Sequence, residues 1–128
     1  MELTFRFVWL DDTAVYLSVI ASGHMQMNDF KELLHGVRTA LSSANSCTLV
    51  DLRKARWDMS ATEINAVVAA FAENRLSMND KIAMISGRDI DHYGQLLVIA
   101  SAAFNQGFRV RAFYRIDLAL EWLAGKPC

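Results

Sequence analysis

The sequence predicts an α/β domain with a five-stranded mixed sheet and about four helices packed mainly on one face. Three observations predict it. Two alternating segments at the N-terminus read as an antiparallel hairpin. Helix-period stretches then alternate with short apolar runs, and the segments joining those runs are long enough to demand parallel crossovers.

Leu3, Phe5, Phe7 and Trp9 share one face of a first strand, with Thr4, Arg6 and Val8 on the other. Asp11-Asp12 marks the turn, and Val15, Leu17, Val19 and Ala21 alternate in a second strand that Ser22-Gly23 ends. Phe30, Leu33, Leu34, Val37 and Leu41 then follow helical spacing, with Asn28 as N-cap and Asp29 in the first turn. Cys47-Thr48-Leu49-Val50 is a buried strand. Ser60-Ala61-Thr62-Glu63 opens the second helix as a capping box, and Ile64, Val67, Val68 and Phe71 form its stripe. Lys81 to Ile85 is a strand, and Ser86 to Asp89 a loop. A third helix runs from about Asp91 to Phe104, burying Tyr93, Leu96, Leu97, Ala100, Ala103 and Phe104, with Gly107 as its left-handed stop. Phe108 to Tyr114 is the last strand, and Leu118 to Ala124 a last helix ended by Gly125 and Pro127.

Composition fits this reading. The 128 residues are 53% hydrophobic and 21% charged, which makes one domain over 1–128 and argues against disorder. Six Gly, one Pro and two Cys fit neither collagen nor a disulfide scaffold. Thirteen basic against fourteen acidic residues leave a net charge of -1, which argues against a broad nucleic-acid-binding face. Apolar runs fall short of the roughly 20 residues of a membrane span, and the start, Met1 to Arg6, does not read as a signal peptide. The expectation is a cytoplasmic protein with Cys47 and Cys128 as reduced thiols.

The run Val110-Arg111-Ala112-Phe113-Tyr114-Arg115-Ile116-Asp117-Leu118-Ala119-Leu120-Glu121-Trp122-Leu123 is the most specific feature. With Leu49-Val50-Asp51-Leu52-Arg53, and with Lys81 to Gly87 followed by Tyr93-Gly94, it resembles the SpoIIAA-like branch of the STAS superfamily of sulfate transporters and anti-sigma-factor antagonists. The resemblance follows the element order of the whole chain and implies the STAS-type fold. In antagonists of that family, a Ser at the start of the helix after the Asp-Leu strand is phosphorylated by a partner kinase. The corresponding position here is Ser60, reached through Trp57-Asp58-Met59, without the second Ser and Gly of the family's Asp-Ser-Ser-Gly-like step. A phosphate on Ser60 would sit at a helix N-terminus; read from the residues alone, Ser60 is an N-cap with Glu63 as its partner.

No phosphate loop, dinucleotide fingerprint, zinc-protease helix or nucleophile elbow occurs. His24, His35 and His92 lie on different elements, so no metal site and no cofactor is expected. Ser86, Asp89 and His92 crowd one loop and helix start, where turn and capping roles are simpler than a catalytic triad. The stronger candidate is the rim where parallel strands end, a favoured ligand position in open sheets. Arg53, Arg56, Arg88 and Arg115 collect there with Lys54 and His24, as candidates for an anionic ligand or partner carboxylate. Asp51, Asp58, Asp89 and Asp117 are placed to neutralise them. Trp57, in the same loop, is either an exposed docking anchor or a lid folded onto the core.

These readings predict no enzyme but a binding or regulatory module, monomeric or homodimeric, working through the strand-end loops on an unknown protein partner or small ligand. The alternative is a carrier of a small apolar or anionic, lipid-like ligand in a pocket between sheet and helices.

Overall fold

Alternating apolar residues pair β1 (Glu2–Trp9) with β2 (Val15–Met25) as the expected antiparallel hairpin, Leu3 opposite Ala21 and Phe5 opposite Val19. The structure, a computed structural model, describes residues 2–12, 14–41, 47–74, 80–87 and 89–125. After the hairpin come α1 (Met27–Ala40), β3 (Cys47–Trp57), α2 (Ala61–Glu73), β4 (Lys81–Ile85), α3 (Ile90–Asn105), β5 (Arg109–Phe113) and α4 (Ile116–Ala124). The strands form one sheet in sequential order β1-β2-β3-β4-β5, and every pair after the first is parallel. This is the mixed α/β sheet that the crossover argument predicts.

Alternation sorts the core into two layers. Leu17, Val19, Val50, Leu52, Ile82, Met84 and Val110 meet α1, α2 and α3 on one face. Tyr16, Cys47, Leu49, Ala83, Ile85 and Phe113 meet Ala119 and Leu123 of α4 on the other. β4 is buried at every position, Lys81 included. The Lys81 ammonium reaches the end of α4 and donates to the carbonyls of Trp122 (2.8 Å) and Gly125 (2.6 Å). Burial, and then the nearby charge of Arg109, push its pKa down.

Several expectations need correcting. β2 does not stop at Ser22-Gly23 but runs on to Met25, with Gly23 at φ 92°. β3 does not stop at Val50 but continues to Trp57. A register shift between Ile20 and Ser22 is what lets both strands continue: beyond it Gly23 pairs with Ala55 and Met25 with Trp57, and the buried alternation resumes at Ala55 and Trp57. α1 is capped two residues earlier than Asn28, at Gln26, the Asp29 carboxylate accepting from the Gln26 amide at 2.8 Å. In α3 the buried residues are Leu96, Ile99, Ala100 and Ala103, whereas Leu97 and Phe104 are exposed. β5 is the last strand of the sheet, so residues on that flank of α3 have no strand beneath them. Cys47 is disulfide-bonded rather than a free thiol. Cys128 lies outside the described residues.

Gly36 of α1 lies tight against the hairpin, because a Cβ there would overlap the Phe5 ring. Alanine in mid-helix is worth about 0.5–1 kcal/mol over glycine. Gly36→Ala should therefore stabilise the Phe5→Ala protein by about that amount and lose the gain, or reverse it, with Phe5 present. Urea denaturation of the four proteins of this cycle measures the coupling, and equal effects in both backgrounds would show that the contact is not made.

Candidate functional site

Parallel pairing brings the C-terminal ends of β2, β3, β4 and β5 to one rim, and α1, α2, α3 and α4 each start from it. The extension of β2 and β3 carries this rim outward on the hairpin side, because β4 ends opposite Asp51. Arg53 and Arg56 are therefore strand residues and not loop residues. Arg56 is exposed and stands in register with His24.

Arg53 binds Asp51 through both arms of its guanidinium, Nε to Oδ1 at 2.9 Å and Nη2 to Oδ2 at 2.7 Å, while its amide donates to Oδ1 at 3.0 Å. Burial alone would raise the Asp51 pKa, but the hydrogen bonds from Arg53 outweigh it and hold the carboxyl below its usual range. Arg115 repeats the arrangement with Asp117 at 3.1 and 2.6 Å, with both side chains exposed. Its hydrogen bonds lower the Asp117 pKa. The neutralising acids thus engage two of the predicted arginines. Arg88 lies outside the described residues.

Trp57 is 3% exposed and closes the core. Its ring meets Phe30 edge-on at 5.8 Å and lies 4.6 Å from the His92 ring. Of the two roles open to it, the structure assigns the lid. His92 Nε2 lies 3.0 Å from the Trp57 carbonyl, an acceptor, so that nitrogen carries the proton. Asp89 caps α3 by accepting from the amides of Asp91 and His92 at 2.9 and 3.1 Å. The Ser86 hydroxyl is buried and donates to the Gly87 carbonyl at 3.1 Å. His92 thus turns Nε2 to the Trp57 carbonyl and Nδ1 toward an Asp89 carboxylate oxygen at 4.0 Å, while Ser86 bonds within its own loop. Ser60 forms its capping box with Glu63: the hydroxyl accepts from the Glu63 amide at 3.2 Å, and the Glu63 carboxylate accepts from the Ser60 amide at 3.1 Å. Ser60 itself is exposed.

A recess of about 280 Å³ lies on the rim between α1 and α2, lined by His24, Met25, Gln26, Asn28, Asp58 and Glu63. Its charged groups are acids, and the predicted arginines do not line it. Among the described residues no three His, Cys, Asp or Glu side chains converge as a metal site, and no helix is long and apolar enough to cross a membrane. A groove of about 670 Å³ at the free edge of β5, with Tyr93, Leu97, Phe104, Arg109, Arg111 and Trp122 in its walls, was not anticipated. Its signal in the sequence is the alternation of Arg109 and Arg111 with Val110 and Ala112, which fits an edge strand with one charged face.

Two predictions follow from this geometry. Trp57→Ala should destabilise the fold by about 3–5 kcal/mol, as a buried indole does and an exposed anchor does not; thermal and urea unfolding measure it. Asp51 titrates below its usual value in the fold, so its ion pair contributes stability above the unfolded carboxylate pKa of 3.8 and loses it as pH falls through the lower folded value. Asp51→Asn should reduce stability at neutral pH and flatten the acid limb of the stability curve. An unchanged limb would show that the pair contributes nothing.

No protein-family model matches the chain, and no curated protein matches it in sequence. Solved structures do match in shape. An uncharacterized DUF3478-family protein with a SpoIIAA-like fold from Shewanella loihica PV-4 superposes with a TM-score of 0.63 at 16% identity, over 95% of this chain and 93% of that one. An anti-sigma factor antagonist from Mycobacterium paratuberculosis gives a TM-score of 0.56 at 14% identity, over 97% and 96%. Strand order, hairpin, crossover helices and these superpositions agree: the chain has a SpoIIAA-like fold.

Proposed function

We propose that the protein is a non-catalytic regulatory module that binds a protein partner at the rim of its parallel strands. The observation that carries this reading is the β2–β3 arm. It overshoots the sheet and presents Arg53, Lys54 and Arg56 to solvent while burying Ala55 and Trp57 behind them. Cations on a strand with a buried back favour a partner with carboxylates or phosphates, Lys54 and Arg56 directly and Arg53 in exchange for Asp51. The likeness to an anti-sigma factor antagonist supports a regulatory role. Ser60, exposed at the head of α2, is the position a kinase would modify. A phosphate there would break the Glu63 cap and face the Asp58 and Glu63 carboxylates, so modification would act as an off-switch for the local geometry.

The carrier reading has less support, because the layer between sheet and helices is filled by Leu17, Phe30, Leu33, Phe71, Met84 and Leu96, all less than 2% exposed. Arg53→Glu/Arg56→Glu should remove a specific partner from a chemically cross-linked native extract while the fold survives by circular dichroism. The same partners at the same yield would eliminate the arm as the docking surface.

A further inference from the structure

β5 is the last strand on one side of the sheet, and among the described residues no strand pairs with its outer edge. The Ser86 amide donates to the Phe113 carbonyl at 3.0 Å, so the Phe113 backbone faces β4. Alternation gives Arg109 and Arg111 the same backbone orientation and turns the N–H and C=O groups of Val110 and Ala112 toward the groove. The groove thus has a strand edge for its floor.

Its two walls differ in chemistry. On the α3 side stand Tyr93, Leu97 and Phe104, with Leu97 40% and Phe104 65% exposed. These are apolar residues on the helical stripe that the fold leaves outside the core. On the α4 side stand Arg109, Arg111 and Trp122, and among the described residues no carboxylate lines this groove. Glu121 lines a neighbouring recess together with Lys81, Arg109 and Arg111. An added strand would carry one row of side chains toward α3 and the alternate row toward the arginines.

We propose that the β5 edge accepts an extended segment of a partner protein as a sixth strand, and that the segment alternates apolar with acidic residues. Apolar side chains would pack on Leu97 and Phe104. Acidic ones would sit beside Arg111 on the other face. Charge excludes the competing occupants within this chain. Antiparallel pairing of two β5 edges would set one arginine row against the other. β1, the other edge, presents Arg6 and the single acid Glu2, and so does not complement Arg109 and Arg111. The proposal concerns a surface separate from the β2–β3 arm and stands or falls independently of it.

The test uses a labelled peptide, acetyl-Glu-Val-Asp-Val-Glu-Val-Asp-amide, titrated into the full chain and followed by fluorescence anisotropy and amide hydrogen exchange. Binding should weaken at least tenfold in Arg111→Glu and in Phe104→Asp, both on the surface and expected to fold, and stay unchanged in Arg53→Glu/Arg56→Glu. The peptide should slow exchange of the Val110 and Ala112 amides and leave the Arg111 amide, already bonded to β4, as it was. A version with Lys replacing every acid should not bind. Equal binding of the Lys peptide, no loss in Arg111→Glu, or protection confined to the arm would overturn the proposal. So would a doubling of mass without peptide that Arg111→Glu abolishes, because that would make a second copy the occupant.

Discussion

Parallel pairing is the constraint on which this structure rests. A strand that runs parallel to its predecessor can be reached only by crossing back over the sheet. The crossovers after β2, β3 and β4 carry α1, α2 and α3, and all three settle on one face. The same pairing aligns the strand ends, so a rim of helix starts and strand ends follows without any residue being chosen for it. Covering both faces of β3 and β4 explains why Leu49, Val50, Ile82, Ala83, Met84 and Ile85 are continuously apolar. Lys81 fits into that run because its ammonium reaches out of the sheet to the backbone carbonyls that end α4.

The sequence signals that carried furthest were those with a local mechanism. The alternation of Leu3, Phe5, Phe7 and Trp9 was enough for β1, and Ser60 with Glu63 for the start of α2. What the sequence hid was mostly set by distant partners. Nothing in Leu52 to Trp57 announces a strand, because β3 continues there only as far as β2 offers backbone groups across a register shift. Leu97 and Phe104 fit the α3 stripe, yet whether a stripe residue is covered depends on how far the sheet extends beneath it.

The charged candidates show a similar division. Sequence proximity pairs Arg53 with Asp51 and Arg115 with Asp117 at a spacing of i, i+2, and these pairs form. Trp57 depended on contacts from Phe30 and His92, which lie 27 and 35 positions away, and spacing alone left it open between anchor and lid. The β5 groove was least legible, being built from α3, β5 and α4 together.

The helix on the far side of the sheet has a consequence for how the chain assembles. α4 is nine residues long, shorter than an isolated helix needs to persist in water. Its buried residues Ala119 and Leu123 rest on β3, β4 and β5, and its end is tied to Lys81. It therefore has little to form against until those strands are in register. The three-helix side can consolidate first, and the lone helix then latches on as a late event, reporting that the sheet beneath it has been completed.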